Sequence, residues 1–146
     1  MIKLSKSREE TEKFARYLAK NCIKKGDIIC LFGDLGAGKS VIAAEIVRSF
    51  AGENLCVPSP TFTIVNNYSN GDTMVNHLDL YRINRTSELD DLGLDEILLS
   101  DDSISIIEWP ERLDGYLDMA NPKIKTIYIR KISDTSREID VRFLEE

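Results

Sequence analysis

Ile28-Ile29-Cys30-Leu31-Phe32 is a short unbroken apolar run, and Gly33-Asp34-Leu35-Gly36-Ala37-Gly38-Lys39-Ser40 follows it at once. A run of this length, glycine-bounded and rich in β-branched and aromatic residues, reads as a strand buried on both faces. The eight residues after it fit G-x-x-x-x-G-K-[ST], the Walker A pattern. Val41 to Val47 then reads as a helix ending near Phe50, with Gly52 beyond it as a stop. Strand, glycine-rich turn and helix are the context that the pattern needs. A random chain of this length matches the eight positions less than about 1% of the time.

The residue types suit one chemistry. Gly36 and Gly38 let the backbone turn with its N–H groups facing inward and no Cβ in the way. Those amides and the positive end of the following helix make Gly33 to Ser40 a cradle for phosphate oxygens. Lys39 is placed to reach the β- and γ-phosphates, and Ser40 offers a hydroxyl to Mg²⁺. The implied ligands are a nucleoside triphosphate and Mg²⁺. Such a loop needs an acid at the end of a second buried strand. Glu108 ends the apolar strand Ser103 to Ile107, and Asp79 ends the extended run Thr73 to Asp79. Both are assigned to catalysis and to the metal shell, and spacing leaves open which one touches the ion. Ser59-Pro60-Thr61-Phe62 reads as a turn before a strand, with a hydroxyl able to sense a γ-phosphate as switch loops do. Trp109 is read as core first, then as an interface anchor or a lid over the nucleotide.

The rest of the chain frames this element. Ser7-Arg8-Glu9-Glu10 has the form of a capping box, and Phe14, Tyr17, Leu18 and Cys22 follow at helical spacing. Asn70-Gly71 signals a hairpin between two extended runs, Thr61 to Tyr68 and Thr73 to Asp79. Ser87 to Leu92 and Leu94 to Leu99 read as helix interrupted at Gly93. Lys123 to Lys131 and Arg137 to Phe143 read as a closing antiparallel hairpin, with Ile127 and Ile129 on one face and Ile139, Val141 and Phe143 on another. The fold class expected is α/β: a P-loop NTPase-like mixed sheet with a strand–P-loop–helix core, helices on both faces and a C-terminal antiparallel hairpin. With 146 residues, one domain over 1–146 is expected.

Charge and cysteine content narrow the partners. Nineteen Lys and Arg against 25 Asp and Glu give a net charge of -6, which argues against a primary nucleic-acid binder. No apolar run approaches the ~18–20 residues that a bilayer requires, and Met1 to Lys13 lacks the apolar stretch of a secretory signal. Cys22, Cys30 and Cys56 form no CxxC pair, so they are expected to be reduced and mostly buried. His77 is the only histidine, which excludes a histidine-pair mechanism.

The ordered set of blocks adds a resemblance. The Walker A segment, Ser59-Pro60-Thr61-Phe62, His77-Leu78-Asp79-Leu80-Tyr81-Arg82, Leu92-Gly93-Leu94-Asp95-Glu96 and Ile107-Glu108-Trp109-Pro110-Glu111-Arg112 together resemble the TsaE (YjeE) family over nearly the whole chain. The resemblance implies a bacterial cytoplasmic ATPase needed for threonylcarbamoyladenosine formation on tRNA. It also implies TsaB- and TsaD-like partners, tRNA met only indirectly through that complex, and hydrolysis that resets the complex between turnovers. On the matching positions, Lys39 is the phosphate-binding lysine, Ser40 the magnesium-binding hydroxyl and Glu108 the metal-associated glutamate. Asp79 is the essential aspartate of the HxDxYR block. Thr61 lies in a switch-like block, and Trp109 is the tryptophan beside the site. Departures are Ser40 where Thr is more frequent, Val41 for a hydroxyl residue, and Asp95 where Glu is usual. Thr11 and the hairpin near Lys131 are the expected surroundings of the adenine.

Three other readings compete. A small P-loop kinase would carry an arginine-rich lid, which 87–102 does not supply. A nucleotide-dependent assembly factor would bind ATP without productive hydrolysis. A GTPase would need an N-K-x-D segment, and the chain has none. Arg82 and Arg112 follow the two acid blocks, either acting in cis or paired with local acids.

Overall fold

The computed structural model describes residues 1–113 and 115–143. The chain order is β1 (Ile2–Ser5), α1 (Arg8–Asn21), β2 (Ile28–Phe32), α2 (Lys39–Ala51), β3 (Val65–Asn70), β4 (Thr73–Asp79), α3 (Ser87–Asp91), α4 (Leu94–Leu99), β5 (Ser103–Glu108), a 3₁₀ turn (Pro110–Leu113), β6 (Ile124–Lys131) and β7 (Arg137–Phe143). All the strands join one sheet in the order β1-β7-β6-β2-β5-β4-β3. β6, β2, β5 and β4 run parallel, while β1, β7 and β3 pair antiparallel at the margins.

β2 has no apolar alternation because it lies between β5 and β6 with both faces covered. Ile29 and Leu31 face the core beneath α1 and α2, together with Leu18, Ile42 and Ile46. Ile28 and Cys30 face the opposite core with Leu89, Leu94 and Leu98 of α3 and α4. Helices therefore cover both faces, as the sequence pattern predicts. On the first face Glu45 of α2 is buried and accepts ion pairs from Arg16 of α1 and from Arg48, each at 3.0 Å. Ser7 caps α1 by accepting from the Glu10 amide at 3.1 Å, and the Glu10 carboxylate returns to the Lys6 amide at 2.8 Å. The capping box is thus closed one residue upstream of its usual return bond.

Three differences from the sequence reading have local causes. β1 is a strand that the sequence reading does not mark: Ile2-Lys3-Leu4-Ser5 alternates, but over only four residues, and Ile2 and Leu4 are exposed. Among the described residues its sheet partner is β7, which makes it an edge strand. The extended run expected from Thr61 starts at Val65 instead. Before it a turn closes, with the Ile64 amide donating to the Pro60 carbonyl at 2.6 Å and Ile64 at φ 68°. In the β6–β7 hairpin, Ile127 faces Val141 and Ile129 faces Ile139. The antiparallel register brings these four onto the same core, so the two apolar sets share a face. The cysteines are free, but only Cys30 is buried; Cys22 is half-buried and Cys56 exposed. Among the described residues, no helix is long and apolar enough to cross a membrane.

Candidate nucleotide site

Parallel strands end at the same edge, and ligands of open α/β sheets bind there. β2 delivers the glycine-rich loop to that edge. The loop turns through Gly36 at φ 79° and Gly38 at φ 108°, a region where a side chain is strained, and Gly38 then starts α2. Gly33 meets a different constraint. A Cβ there would lie 2.7 Å from the Ile129 carbonyl oxygen, so the loop leaves β2 in close contact with β6.

The two carboxylates arrive by register. Asp79 ends β4, Glu108 ends β5, and they are direct cross-strand partners. Each is almost fully buried. Glu108 Oε1 accepts from Ser40 Oγ at 2.9 Å, which joins α2 to β5. Asp79 Oδ2 accepts from Thr61 Oγ1 at 2.9 Å, and Oδ1 accepts from the Tyr81 amide at 3.0 Å. Ser59 and Thr61 share a hydroxyl contact at 2.8 Å. The turn that displaces the start of β3 is therefore what brings Thr61 onto Asp79.

Lys39 is 5% exposed. Its ammonium donates to the Gly33 carbonyl and sits 3.5 Å from the centroid of the Trp109 ring. Burial lowers its pKa below that of an ordinary lysine, and the surrounding carboxylates Glu108, Glu111, Asp79 and Asp34 oppose the shift. Trp109 stands at φ 60°, which is costly for a bulky residue, and also contacts Tyr81 with ring centroids 5.0 Å apart. It is half-buried and packed on the core beside α3 and α4 while lining the site. Core residue and cleft wall are thus combined in one side chain.

These groups line a cleft of about 540 Å³, a size usual for small-molecule sites. Asp34 to Ser40, Thr61, Asp79, Glu108 and Trp109 all line it, whereas Gly33 stands behind it as the acceptor of Lys39. Thr11 is on the wall, and the β6–β7 turn contributes Asp134, Thr135 and Arg137 in place of Lys131. Neither Arg82 nor Arg112 lines the cleft. Arg82 stacks on Phe62 at 4.3 Å, and neither forms an ion pair among the described residues.

Two contributors lie outside the sequence-derived set. His77 Nε2 sits 2.6 Å from Glu108 Oε2, wholly buried. Strand periodicity held the signal, since His77 is two residues before Asp79 and so shares its face. Arg137 donates to the Ala37 carbonyl at 2.9 Å and the Gly36 carbonyl at 3.3 Å, tying β7 to the phosphate loop. No local pattern marks that contact across the sheet.

The donor set suits a hard cation. Ser40, Glu108 and Asp79 present oxygen atoms only, at one sheet edge beside a positive-φ glycine loop. Among the described residues no cluster of three or more His, Cys, Asp or Glu forms a self-sufficient metal site. Magnesium characteristically accepts such partial protein coordination, with phosphate oxygens and waters completing its shell.

Comparisons with known proteins bear on the family and the fold. The family described as threonylcarbamoyl adenosine biosynthesis protein TsaE matches residues 5–139. The tRNA threonylcarbamoyladenosine biosynthesis protein TsaE of Rickettsia conorii is 42% identical over 105 residues, covering 72% of this chain and 58% of that protein. The protein of the same name from Rickettsia typhi is 40% identical over 136 residues, covering 93% of this chain and 90% of its own length. Among solved structures, YdiB of Bacillus subtilis superposes with a TM-score of 0.76 at 27% identity, over 97% of this chain and 83% of that one. A P-loop flanked by two register-matched carboxylates, on a chain matched by this family from its first strand to its last, leads to one conclusion: the chain belongs to the TsaE family of threonylcarbamoyl adenosine biosynthesis proteins.

Proposed function

We propose that this protein binds ATP with Mg²⁺ and hydrolyses it slowly, in the cytoplasm, to support threonylcarbamoyladenosine formation on tRNA. TsaB- and TsaD-like proteins are the partners in this reading, and tRNA is reached only through them. The observation that carries the proposal is the pairing of Ser40 with Glu108 and of Thr61 with Asp79 around one phosphate loop. These are the groups that hold a metal–triphosphate in loops of this type.

Ser40, Glu108 and Asp79 are the residues that would hold Mg²⁺. When bound, the ion neutralises charge between phosphate oxygens. The chain's own groups do the rest. Lys39 supplies a positive charge freed from Gly33 and Trp109, loop amides orient the phosphates, and Glu108 or Asp79 orients a water for attack. Within the chain Lys39 is engaged by Gly33 and Trp109, Ser40 by Glu108 and Thr61 by Asp79. Lys39 exchanges its contacts for phosphate oxygens, whereas the two hydroxyls keep lone pairs for the ligand. In this reading turnover of the isolated chain is slow and partners that complete the site accelerate it.

Reconstitution of the tRNA modification with Lys39→Ala tests the proposal. The expected result is loss of multi-turnover product and about tenfold or more weaker nucleotide binding. Glu108→Gln separates hydrolysis from binding alone. A variant that retains nucleotide and full pathway activity would favour the non-hydrolysing assembly factor.

A further inference from the structure

We infer that His77 is a positioning residue for Glu108, fixing one carboxylate oxygen so that the other stays directed at Ser40 and the metal position. The inference rests on the Mg²⁺–nucleotide reading above and adds a residue to it.

The geometry begins with strand alternation. Val75, His77 and Asp79 share one face of β4, and Ile104, Ile106 and Glu108 share the same face of β5. Val75, Ile104 and Ile106 belong to the core under α1 and α2. His77 therefore occupies the step between apolar core and open cleft, directly below the two acids. It is 1% exposed, and Glu108 is 2% exposed. A carboxylate this deep needs donors on both oxygens, because a buried unpaired charge is costly. Ser40 serves Oε1 at 2.9 Å and His77 Nε2 serves Oε2 at 2.6 Å.

The two donors differ in exposure. Ser40 stands at the cleft surface, where its oxygen lone pairs can meet a cation while its hydrogen stays on Glu108. His77 does not line the cleft; among the described residues its Nδ1 is buried without a hydrogen bond, and its side-chain hydrogen bond is the Nε2 contact to Glu108. From the buried side it holds Glu108 in place, as the outer partners of metal-ligating side chains commonly do.

Two polar variants test this without emptying the core. Gln places its amide nitrogen near the Nε2 position, whereas Asn reaches only as far as Nδ1. The measurement is ADP binding by calorimetry as Mg²⁺ is titrated, repeated in EDTA, with each variant also made in a Glu108→Gln background. We expect His77→Asn to raise the half-saturating Mg²⁺ concentration about tenfold, with EDTA affinity unchanged within about twofold. His77→Gln should stay within about threefold of the unsubstituted chain. In the Glu108→Gln background the two should be indistinguishable. The inference is overturned if His77→Asn leaves the Mg²⁺ midpoint unmoved, if His77→Gln fails as badly as His77→Asn, or if the effects add in the double variants. It is overturned too if affinity in EDTA falls by the same factor. Absence of any Mg²⁺ dependence in the unsubstituted chain would instead defeat the Mg²⁺–nucleotide reading, and this inference with it.

Discussion

At the scale of single residues, the site is governed by how few groups carry charge out of water. Lys39 is the clearest case. Burial lowers its pKa, so it loses its proton at a lower pH than a surface lysine would. A bound phosphate favours the charged form and pulls the pKa back up. Nucleotide affinity should therefore fall as pH rises through the lowered pKa of Lys39, and binding on the alkaline side should take up a proton. Calorimetry in two buffers of different ionisation enthalpy reads that uptake; its absence would show that Lys39 is not the phosphate ligand. Cys30 behaves oppositely, because burial first and the Glu111 carboxylate second push its thiol up to about 12. Maleimide should modify exposed Cys56 quickly and leave Cys30 intact until the chain unfolds, as peptide mass analysis would reveal.

Elements place these residues, and their packing sets the tolerance. α2 carries Lys39 and Ser40 on its first turn while Ile42 and Ile46 anchor it in the core. Ile46→Ala should cost about 2–5 kcal/mol in denaturant unfolding, with the site intact at low temperature. A loss below 1 kcal/mol would mean that α2 is held mainly by its polar contacts. β7 acts at longer range through Arg137, whose guanidinium donates to two loop carbonyls and also to the Ser133 and Ser136 carbonyls at 2.7 and 3.0 Å. Arg137→Ala should destabilise the fold by about 1–3 kcal/mol and weaken nucleotide binding in the same preparation. Unchanged affinity would show that the phosphate loop keeps its shape without β7.

For the whole molecule, the arginine count in the cleft has a consequence for turnover. Arg82 and Arg112 lie outside it, Arg8 lines it but is paired with Glu12 at 3.1 Å, and Arg137 is occupied by loop carbonyls. ATP hydrolysis by the isolated chain should accordingly be slow and rise when TsaB- and TsaD-like partners are added; equal rates with and without them would refute completion of the site by partners. Much of the fold is legible in the sequence. The β2–loop–α2 unit, the strand-end acids, the Gly93 break and the C-terminal hairpin all declare themselves through short-range rules of spacing, turn chemistry and capping. β1 is weakly marked because its alternation runs over only four residues, Ile2 to Ser5, and the turn at 61–64 because Thr and Phe suit strands equally well. By itself the linear order of residues determined which chemical groups exist and which local element carries each, since those depend on neighbours a few positions apart. Only the tertiary structure decided that Asp79 faces Glu108, that His77 lies beneath that pair and that Arg137 spans 100 positions to reach the loop. Sheet register and crossover order settle such contacts, and they result from burying every apolar face at once.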